Sequence, residues 1–229
     1  ENVAAPSATQ ISTALDDPSS DNFVVVKAPT GSGKTVLAAG VISKLAEERD
    51  DDWCTIWLSP GTGGLHDQSR DSLTHILEDE AIDIVEITPE FLQSNDALDP
   101  NMVAVVNWEA IRARDGDMNY TNLIARSGEN SNVWNLLERT KLNGLQLLVI
   151  IDETHIGNPV FTGNPEMMSR SAEVLEDIAP SAKLLISATP PSRQELVDAN
   201  IWNFDLVNVR QYYHTITYQT VSDFGAIKR

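Results

Sequence analysis

The feature that most constrains the fold is a glycine-rich segment between a strand pattern and a helix pattern. The apolar run Phe23 to Lys27 leads directly into Ala28-Pro29-Thr30-Gly31-Ser32-Gly33-Lys34-Thr35, and an apolar helical stretch follows from Val36 to Leu45. Glycines let the backbone curl so that successive N–H groups point inward, and the helix adds the positive end of its dipole. With these flanks, the pattern predicts a phosphate-binding loop rather than an ordinary strand-to-helix turn.

Two residues of the predicted loop carry specific chemistry. We expect the ammonium group of Lys34 to reach the β- and γ-phosphates of a nucleotide, and the hydroxyl group of Thr35 to bind Mg²⁺. Lys34 would then also take part in catalysis. The remaining contacts would come mainly from the backbone, so the predicted nucleotide-binding residues are Pro29, Thr30, Gly31, Ser32, Gly33, Lys34 and Thr35.

A second motif follows another apolar strand pattern, Leu147 to Ile151, which ends in Asp152-Glu153-Thr154-His155. An acid at the carboxyl end of a parallel strand can offer an oxygen to Mg²⁺, directly or through water, and we assign that role to Asp152. Glu153 would accept a proton from an attacking water or orient it. Alone, such a pair is as often a solvated strand end. In a sequence that also contains a phosphate-loop pattern, the pair of acids predicts a catalytic site.

A third apolar strand pattern, Lys183 to Ile186, ends in Ser187-Ala188-Thr189-Pro190. Ser187 and Thr189 can hydrogen-bond to Glu153 or His155 and so report whether the γ-phosphate is present. The alternative is a Ser/Thr turn that merely ends the strand before two prolines. A zinc site at His155 is not expected, because a second His or Cys at ligand spacing is missing.

The order of elements predicts the fold class. Short runs rich in Val, Ile and Leu alternate with helical stretches, which indicates an α/β fold with a mostly parallel sheet and helices on both faces. The predicted strands are Phe23 to Lys27, Cys54 to Leu58, Ile84 to Ile87, Met102 to Asn107, Leu147 to Asp152 and Leu184 to Ser187. The predicted helices begin at Gly33, near Leu65, at Trp108, near Val133 and near Pro165, the last ending at Ile178.

Two stretches depart from this order. Between Arg112 and Asn132 the sequence is polar and contains Gly116, Gly128 and several Asn residues, so we expect a surface insertion there. After Pro190 the pattern changes, and Val207 to Tyr218 predicts a strand or hairpin that leaves the first sheet toward a second domain.

Composition narrows the class of protein. The chain has 229 residues, 41% of them hydrophobic and 22% charged, which is typical of a globular protein with one or two domains. Apolar runs fall far short of the roughly 20 residues that cross a bilayer, no secretory signal opens the sequence, and Cys54 is the single cysteine. We therefore expect a soluble, cytoplasmic protein with Cys54 packed in the core rather than reactive.

The charge balance is strongly acidic. A formal net charge of -18 argues against tight nonspecific binding to DNA by this chain alone. The acidity is typical of a solvated face that keeps a protein in solution, or of adaptation to a salty cytoplasm. It is compatible with a larger protein whose other domains carry the basic surface.

The motifs together resemble a known superfamily. Ala28 to Thr35, Asp152 to His155 and Ser187 to Thr189 look like motifs I, II and III of the first RecA-like domain of superfamily 2 helicases of the DEAD/DEAH type. Their order and spacing match over Phe23 to Pro191. Val103 to Ile111, with the polar insertion after it, is similar to the motor (Res) subunit of type III restriction enzymes.

The resemblance also implies roles for single residues. Gln10 stands about where the superfamily places a glutamine that reads the adenine edge of ATP. The segment from Leu58 to Pro60 and the one from Leu65 to Gln68 resemble motif Ia, which contacts the nucleic-acid backbone; here Gln68 and Arg70 would do so. Coupling between two motor domains would fall to His155, Ser187 and Thr189.

The resulting prediction is a RecA-like ATP-binding motor domain over residues 23–206, after a lead-in at 1–22 and before the start of a connection to a second domain at 207–229. The resemblance implies ATP and Mg²⁺ as cofactors and ATP hydrolysis as the reaction. It implies nucleic acid as a partner, expected to be duplex DNA, together with a second RecA-like domain and a methyltransferase subunit, but no membrane. In the superfamily that second domain supplies an arginine worth about 10³ to 10⁵ in rate, so the isolated chain should be nearly inactive.

Two other functions stay open. One is a nucleotide-regulated binding or scaffolding module that moves no strand, although such a module would not need Glu153 beside Asp152. The other is a small-molecule kinase, since phosphate loops serve many folds.

Overall fold

A computed structural model describes residues 4–17, 23–50, 52–59, 64–112, 132–152, 174–175, 177–188 and 211–215. Within these ranges the helices include α1 (Ala4–Leu15), α2 (Lys34–Glu48), α3 (Leu65–Ile76), α4 (Pro89–Ser94), α5 (Trp108–Arg112) and α6 (Val133–Leu142). The strands are β1 (Phe23–Lys27), β2 (Trp53–Ser59), β3 (Ile84–Glu86), β4 (Val103–Asn107), β5 (Gln146–Asp152), β6 (Ala182–Ser187) and β7 (Gln211–Thr215).

All seven strands form one sheet in the order β3-β4-β2-β5-β6-β1-β7, and every neighbouring pair is parallel. The carboxyl ends of the strands therefore meet at one edge. Lys27 of β1 is in register with Ser187 of β6, and Ile186 of β6 is in register with Asp152 of β5. This edge holds the ends of the three strands that precede the predicted motifs.

The sheet is covered on both faces, which explains why its central strands are apolar along most of their length. Every residue of β2 is buried. Cys54, Ile56 and Leu58 belong to one core cluster, which includes residues of α5 and α6. Trp53 and Trp57 point the other way, into a cluster formed with α1 and α2. The prediction that Cys54 packs in the core is confirmed, and Trp53, Trp57 and Trp108 are buried as well.

Helix α1 is part of this core and was not predicted as a helix. Its buried residues include Ala4, Ala8, Ile11 and Leu15, whose spacing places them on one helical face. Arg49, which follows α2, holds the end of α1. Its guanidinium group donates to the carbonyl oxygen of Ser12 at 3.2 Å and pairs with Asp16 at 2.7 Å. The lead-in expected over residues 1–22 therefore contains a packed helix.

The six strands predicted before residue 190 are confirmed, with bounds that agree within two residues. The helices predicted near Gly33, Leu65, Trp108 and Val133 are confirmed as well. Residues 174, 175, 177 and 178 are helical, as predicted for the helix ending at Ile178, and the rest of that helix lies outside the described residues. Short helix α4 was missed. Thr88 caps it by accepting a hydrogen bond from the Phe91 N–H at 3.2 Å.

The prediction that Val207 to Tyr218 leaves the first sheet was wrong for its described part. Strand β7 pairs in parallel with β1, with Phe23 opposite Gln211 and Lys27 opposite Thr215. It thus forms an outer strand of the same sheet next to β1. The surface insertion expected between Arg112 and Asn132 lies outside the described residues. Within the described ranges, the helices lack the length and apolar character needed to cross a bilayer.

Candidate functional site

The glycine-rich loop begins with a backbone contact between two strands. Ala28 is buried, and its N–H donates to the carbonyl oxygen of Ser187 at 2.8 Å. The Ser32 N–H then donates to the Pro29 carbonyl at 3.1 Å, which closes a turn. Gly31 and Gly33 have φ values of 76° and 78°, in the left-handed region that side chains with a Cβ rarely adopt. The predicted curl of the loop is therefore present.

The loop leads into the N-terminus of α2. Lys34 is the first helical residue, and only 8% of its surface is exposed. Gly33 cannot cap the helix through a side chain, and the first turn, Lys34 to Leu37, contains no acid. The Ser32 Oγ is buried without a hydrogen-bond partner among the described residues. First-turn N–H groups together with an unpartnered hydroxyl fit a group rich in acceptor oxygens, such as a phosphate.

Asp152 lies at the carboxyl end of β5 and is 5% exposed. The Ser69 Oγ donates a hydrogen bond to its Oδ2 at 3.5 Å. Ser187, at the end of the adjacent strand, is fully buried. A carboxylate at Asp152 and a hydroxyl at Thr35 are the hard oxygen donors that suit Mg²⁺. The structure thus places Asp152 and Ser187 at the same edge of the sheet as the glycine-rich loop.

Other predicted residues are placed in different ways. Pro29, Ser32 and Thr35 are half-buried, whereas Thr30 is exposed. Gln10, predicted to read the adenine edge, lies in α1 and is half-buried. Glu153, His155 and Thr189, predicted for catalysis and coupling, lie outside the described residues.

Helix α3 reaches the same edge through three side chains that are spaced to share one face. The His66 Nδ1 lies 3.0 Å from the Ser59 Oγ at the end of β2. Ser69 donates to Asp152 at the end of β5, and Arg70 pairs with Glu86 at the end of β3. Ser69 was missed as a site residue. Its i+3 spacing from His66 gave a signal, but only the fold shows which strand it meets.

Of the two residues predicted to contact nucleic acid, Gln68 is exposed. Arg70 is surrounded by carboxylates: it donates to Asp71 at 3.1 Å, pairs with Glu86, and lies 3.6 Å from Asp67. Hydrogen bonds to Asp71 and Glu86 raise the pKa of Arg70 above its usual value. Its positive charge is therefore already balanced within the protein.

A parallel sheet with helices on both faces, a glycine-rich loop after β1 and an acid at the end of β5 define a RecA-like α/β domain. The chain matches the family described as "Type III restriction enzyme, res subunit" over residues 6–192, and it belongs to that family. The predicted resemblance to this family is confirmed. The comparison with curated proteins gave no match.

Three solved structures illustrate the fold. The type ISP restriction-modification enzyme LlaGI, in complex with a DNA substrate mimic, aligns with 96% of this chain at a TM-score of 0.52 and 14% identity. The DUF1998 helicase MrfA bound to DNA aligns with 90% at 0.50 and 18% identity. Dbp5 of S. cerevisiae, bound to RNA and ADP BeF3, aligns with 87% at 0.50 and 14% identity.

The chain spans 20%, 25% and 43% of those three proteins, in the same order. The likeness therefore shows the fold of one domain, while the relatives contain much more chain.

Proposed function

We propose that this chain is the first motor domain of a nucleic-acid-dependent ATPase, a helicase or DNA translocase of the restriction type. The observation that carries this proposal is the shared sheet edge. Strand β1 ends at Lys27, directly before the loop, while β5 ends at Asp152 and β6 ends at Ser187. Strand β6 pairs with both of the others, so the three ends lie side by side. Under this proposal, the motor domain includes α1 (Ala4–Leu15), which packs in its core, and β7 (Gln211–Thr215), which pairs with β1, and the connection to a second domain follows β7.

The phosphates would lie against the backbone N–H groups of the loop and the first turn of α2. Lys34 would place its ammonium group on the β- and γ-phosphates. Thr35 and Asp152 would hold Mg²⁺, which when bound neutralises charge on the phosphate oxygens. Burial of Asp152 strengthens its attraction for a cation, because the local dielectric constant is lower than in water.

Hydrolysis would need residues beyond these. Glu153 is proposed to orient the attacking water, and His155, Ser187 and Thr189 are proposed to transmit the state of the nucleotide to a second domain. That domain would bring the arginine which stabilises the transferred phosphoryl group. The isolated chain should consequently bind nucleotide and hydrolyse it very slowly.

Nucleic acid is the proposed partner of the whole protein. Two relatives were solved with DNA or a DNA mimic and one with RNA. Family membership favours duplex DNA and a methyltransferase subunit. Within this chain, exposed Gln68 is the better candidate for a backbone contact, because Arg70 is already paired with carboxylates.

A nucleotide-regulated binding module is the second candidate. The net charge of -18 and the pairing of Arg70 with carboxylates both disfavour binding to nucleic acid. They therefore favour a module that binds nucleotide alone. ATPase activity of the full-length protein separates the two: stimulation by DNA supports the motor, and a flat response supports the module.

The first test is calorimetric titration of ATP with Mg²⁺ into the wild type, Lys34→Ala and Lys44→Ala. Lys44 lies on the same helix and pairs with nearby Glu47, so its removal controls for lost charge. We expect binding to be lost in Lys34→Ala and kept in Lys44→Ala. Equal binding by all three proteins would contradict the proposed site.

A further inference from the structure

Helix α3 is fixed to the edge of the sheet that carries the proposed nucleotide site. His66, Ser69 and Leu73 form its buried face. His66 contacts Ser59, and its Nε2 also lies 3.3 Å from the Glu86 carboxylate. These contacts hold the first two turns of α3 over the ends of β2 and β3, and they fix the helix that carries Ser69.

Ser69 meets the one acid on this edge that has a proposed metal role. It is 6% exposed and Asp152 is 5% exposed, so water has little access to either group. An ionised carboxylate only accepts hydrogen bonds, so the serine hydroxyl is the donor. The Oγ–Oδ2 distance of 3.5 Å is long, as hydrogen bonds in active sites often are before substrate tightens them.

A bond of this kind has a defined effect on a metal ligand. Groups that hydrogen-bond to a ligating carboxylate fix its orientation and make the geometry of binding reproducible. The bond engages Oδ2. It would thereby favour the rotamer in which the other oxygen is presented to the cation.

We propose that Ser69 is a positioning residue that orients Asp152 for Mg²⁺ and so sets how strongly Mg²⁺ promotes ATP binding. This inference rests on the proposed function, because it assigns Ser69 a role toward the same metal. It also gives α3, which bears exposed Gln68, a direct connection to the nucleotide site.

The test compares ATP affinity with Mg²⁺ and with EDTA, measured by calorimetry on the full chain. The ratio of the two affinities reports the contribution of the metal. In Ser69→Ala we expect this ratio to fall about tenfold, as is usual when a partner of a metal ligand is removed. The affinity in EDTA should stay within about twofold, the range of a substitution without other effects.

Two further variants decide between positioning and packing. Ser69→Thr keeps the hydroxyl and should restore the ratio. Ser72→Ala, one turn along α3 at a half-buried position, should leave it unchanged. A fall of both affinities together in Ser69→Ala would show a structural role and overturn the inference, as would an unchanged ratio or failure of Ser69→Thr to restore it.

Failure of the proposed function gives a different result. If the wild type binds ATP equally with Mg²⁺ and with EDTA, or not at all, the metal site itself is absent. If the wild type shows a clear Mg²⁺ effect that Ser69→Ala retains in full, only the role of Ser69 is wrong.

Discussion

The backbone N–H of Ala28 donates to the carbonyl oxygen of Ser187 at 2.8 Å, so the start of the glycine-rich loop is bonded to the end of β6. This bond continues the hydrogen bonding between β1 and β6 to Ala28, one residue past the end of β1 at Lys27. Because neither group is a side chain, the path of the loop depends on backbone conformation. The positions that must adopt left-handed conformations are therefore the sensitive ones.

We predict that Gly33→Ala lowers both stability and nucleotide affinity. Gly33 has a φ of 78°, and a Cβ there would meet only Val36, at 3.7 Å, so the cost arises from the backbone rather than from a clash. A left-handed conformation costs an L-residue roughly 1–2 kcal/mol. Denaturant unfolding measures that loss, and calorimetry measures the affinity for ATP.

Gly144→Ala is the matched control. Gly144 follows α6, has a φ of 88° and has open space around it, so alanine should cost a similar amount of stability there. It should leave ATP affinity unchanged. If both variants lose affinity to the same degree, the effect on binding is a consequence of general destabilisation and the loop is not the binding site.

Cys54 provides a prediction about pH. Burial raises the pKa of its thiol from 9.0 to about 12. Above pH 9.0 the unfolded chain's thiol ionises while the folded chain's stays protonated, so this residue makes the folded state progressively less stable as pH rises toward 12. Below that window it has no such effect.

The measurement is the free energy of unfolding at several alkaline pH values for wild type and Cys54→Ala. We expect the wild type to lose stability more steeply with pH than the variant. In the native state a thiol reagent should react with Cys54 only at the rate of unfolding. Rapid modification at neutral pH would contradict its burial.

Much of the fold was predictable because a short, nearly continuous run of apolar residues indicates a strand that is buried on both faces of a sheet. The apolar runs of β2 and β5 fit few structures other than a buried strand, and each run ends at a polar residue that marks the end of the strand. Helix α1 was missed because its core face uses small side chains: Ala4 and Ala8 alternate with Ser and Thr and give a weak hydrophobic contrast. Thr88 before Pro89 was a usable signal for α4 that was overlooked.

Other features depend on contacts between distant parts of the chain. The residues of β7 suggested a strand, but its pairing with β1 could not be read from local sequence. The residues of the proposed phosphate loop were predicted one by one, because glycine, lysine and threonine are required at fixed positions in such a loop. Ser69 was not, because its partner Asp152 is 83 residues away.

Thr140 tests a buried hydrogen bond away from the proposed site. Its Oγ1 accepts from the Leu98 N–H at 2.9 Å and donates to the Leu136 carbonyl at 2.7 Å. Thr140→Val keeps the shape but leaves the Leu98 N–H unpaired in the core, which should cost about 1–3 kcal/mol. Denaturant unfolding would show the loss, while ATP affinity should not change.

Thr74→Val is the corresponding control. Thr74 is exposed and its hydroxyl donates only to the Arg70 carbonyl of its own helix, at 3.0 Å, in the contacts seen. Its replacement should change stability by less than about 0.5 kcal/mol. Equal losses of stability in the two variants would mean that removal of the hydroxyl group, rather than the unpaired buried N–H, determines the loss.

The carboxylates around Arg70 should limit its contact with nucleic acid. A phosphate can bind this guanidinium only in competition with Asp71, which accepts from its Nε at 3.2 Å and from a terminal nitrogen at 3.1 Å. We predict that Asp71→Asn strengthens binding of duplex DNA by the full-length protein up to about fivefold, since an exposed charge pair at contact is worth about 1 kcal/mol in water. The gain should shrink as salt is added.

Two comparisons make this prediction specific. Asp79→Asn changes the net charge equally at an exposed position before β3 and should give a smaller gain. Combining Asp71→Asn with Arg70→Ala should remove the gain altogether, because the released guanidinium is then missing. If Asp79→Asn strengthens binding as much as Asp71→Asn, the effect is one of overall charge, and Arg70 has no direct contact with the nucleic-acid backbone.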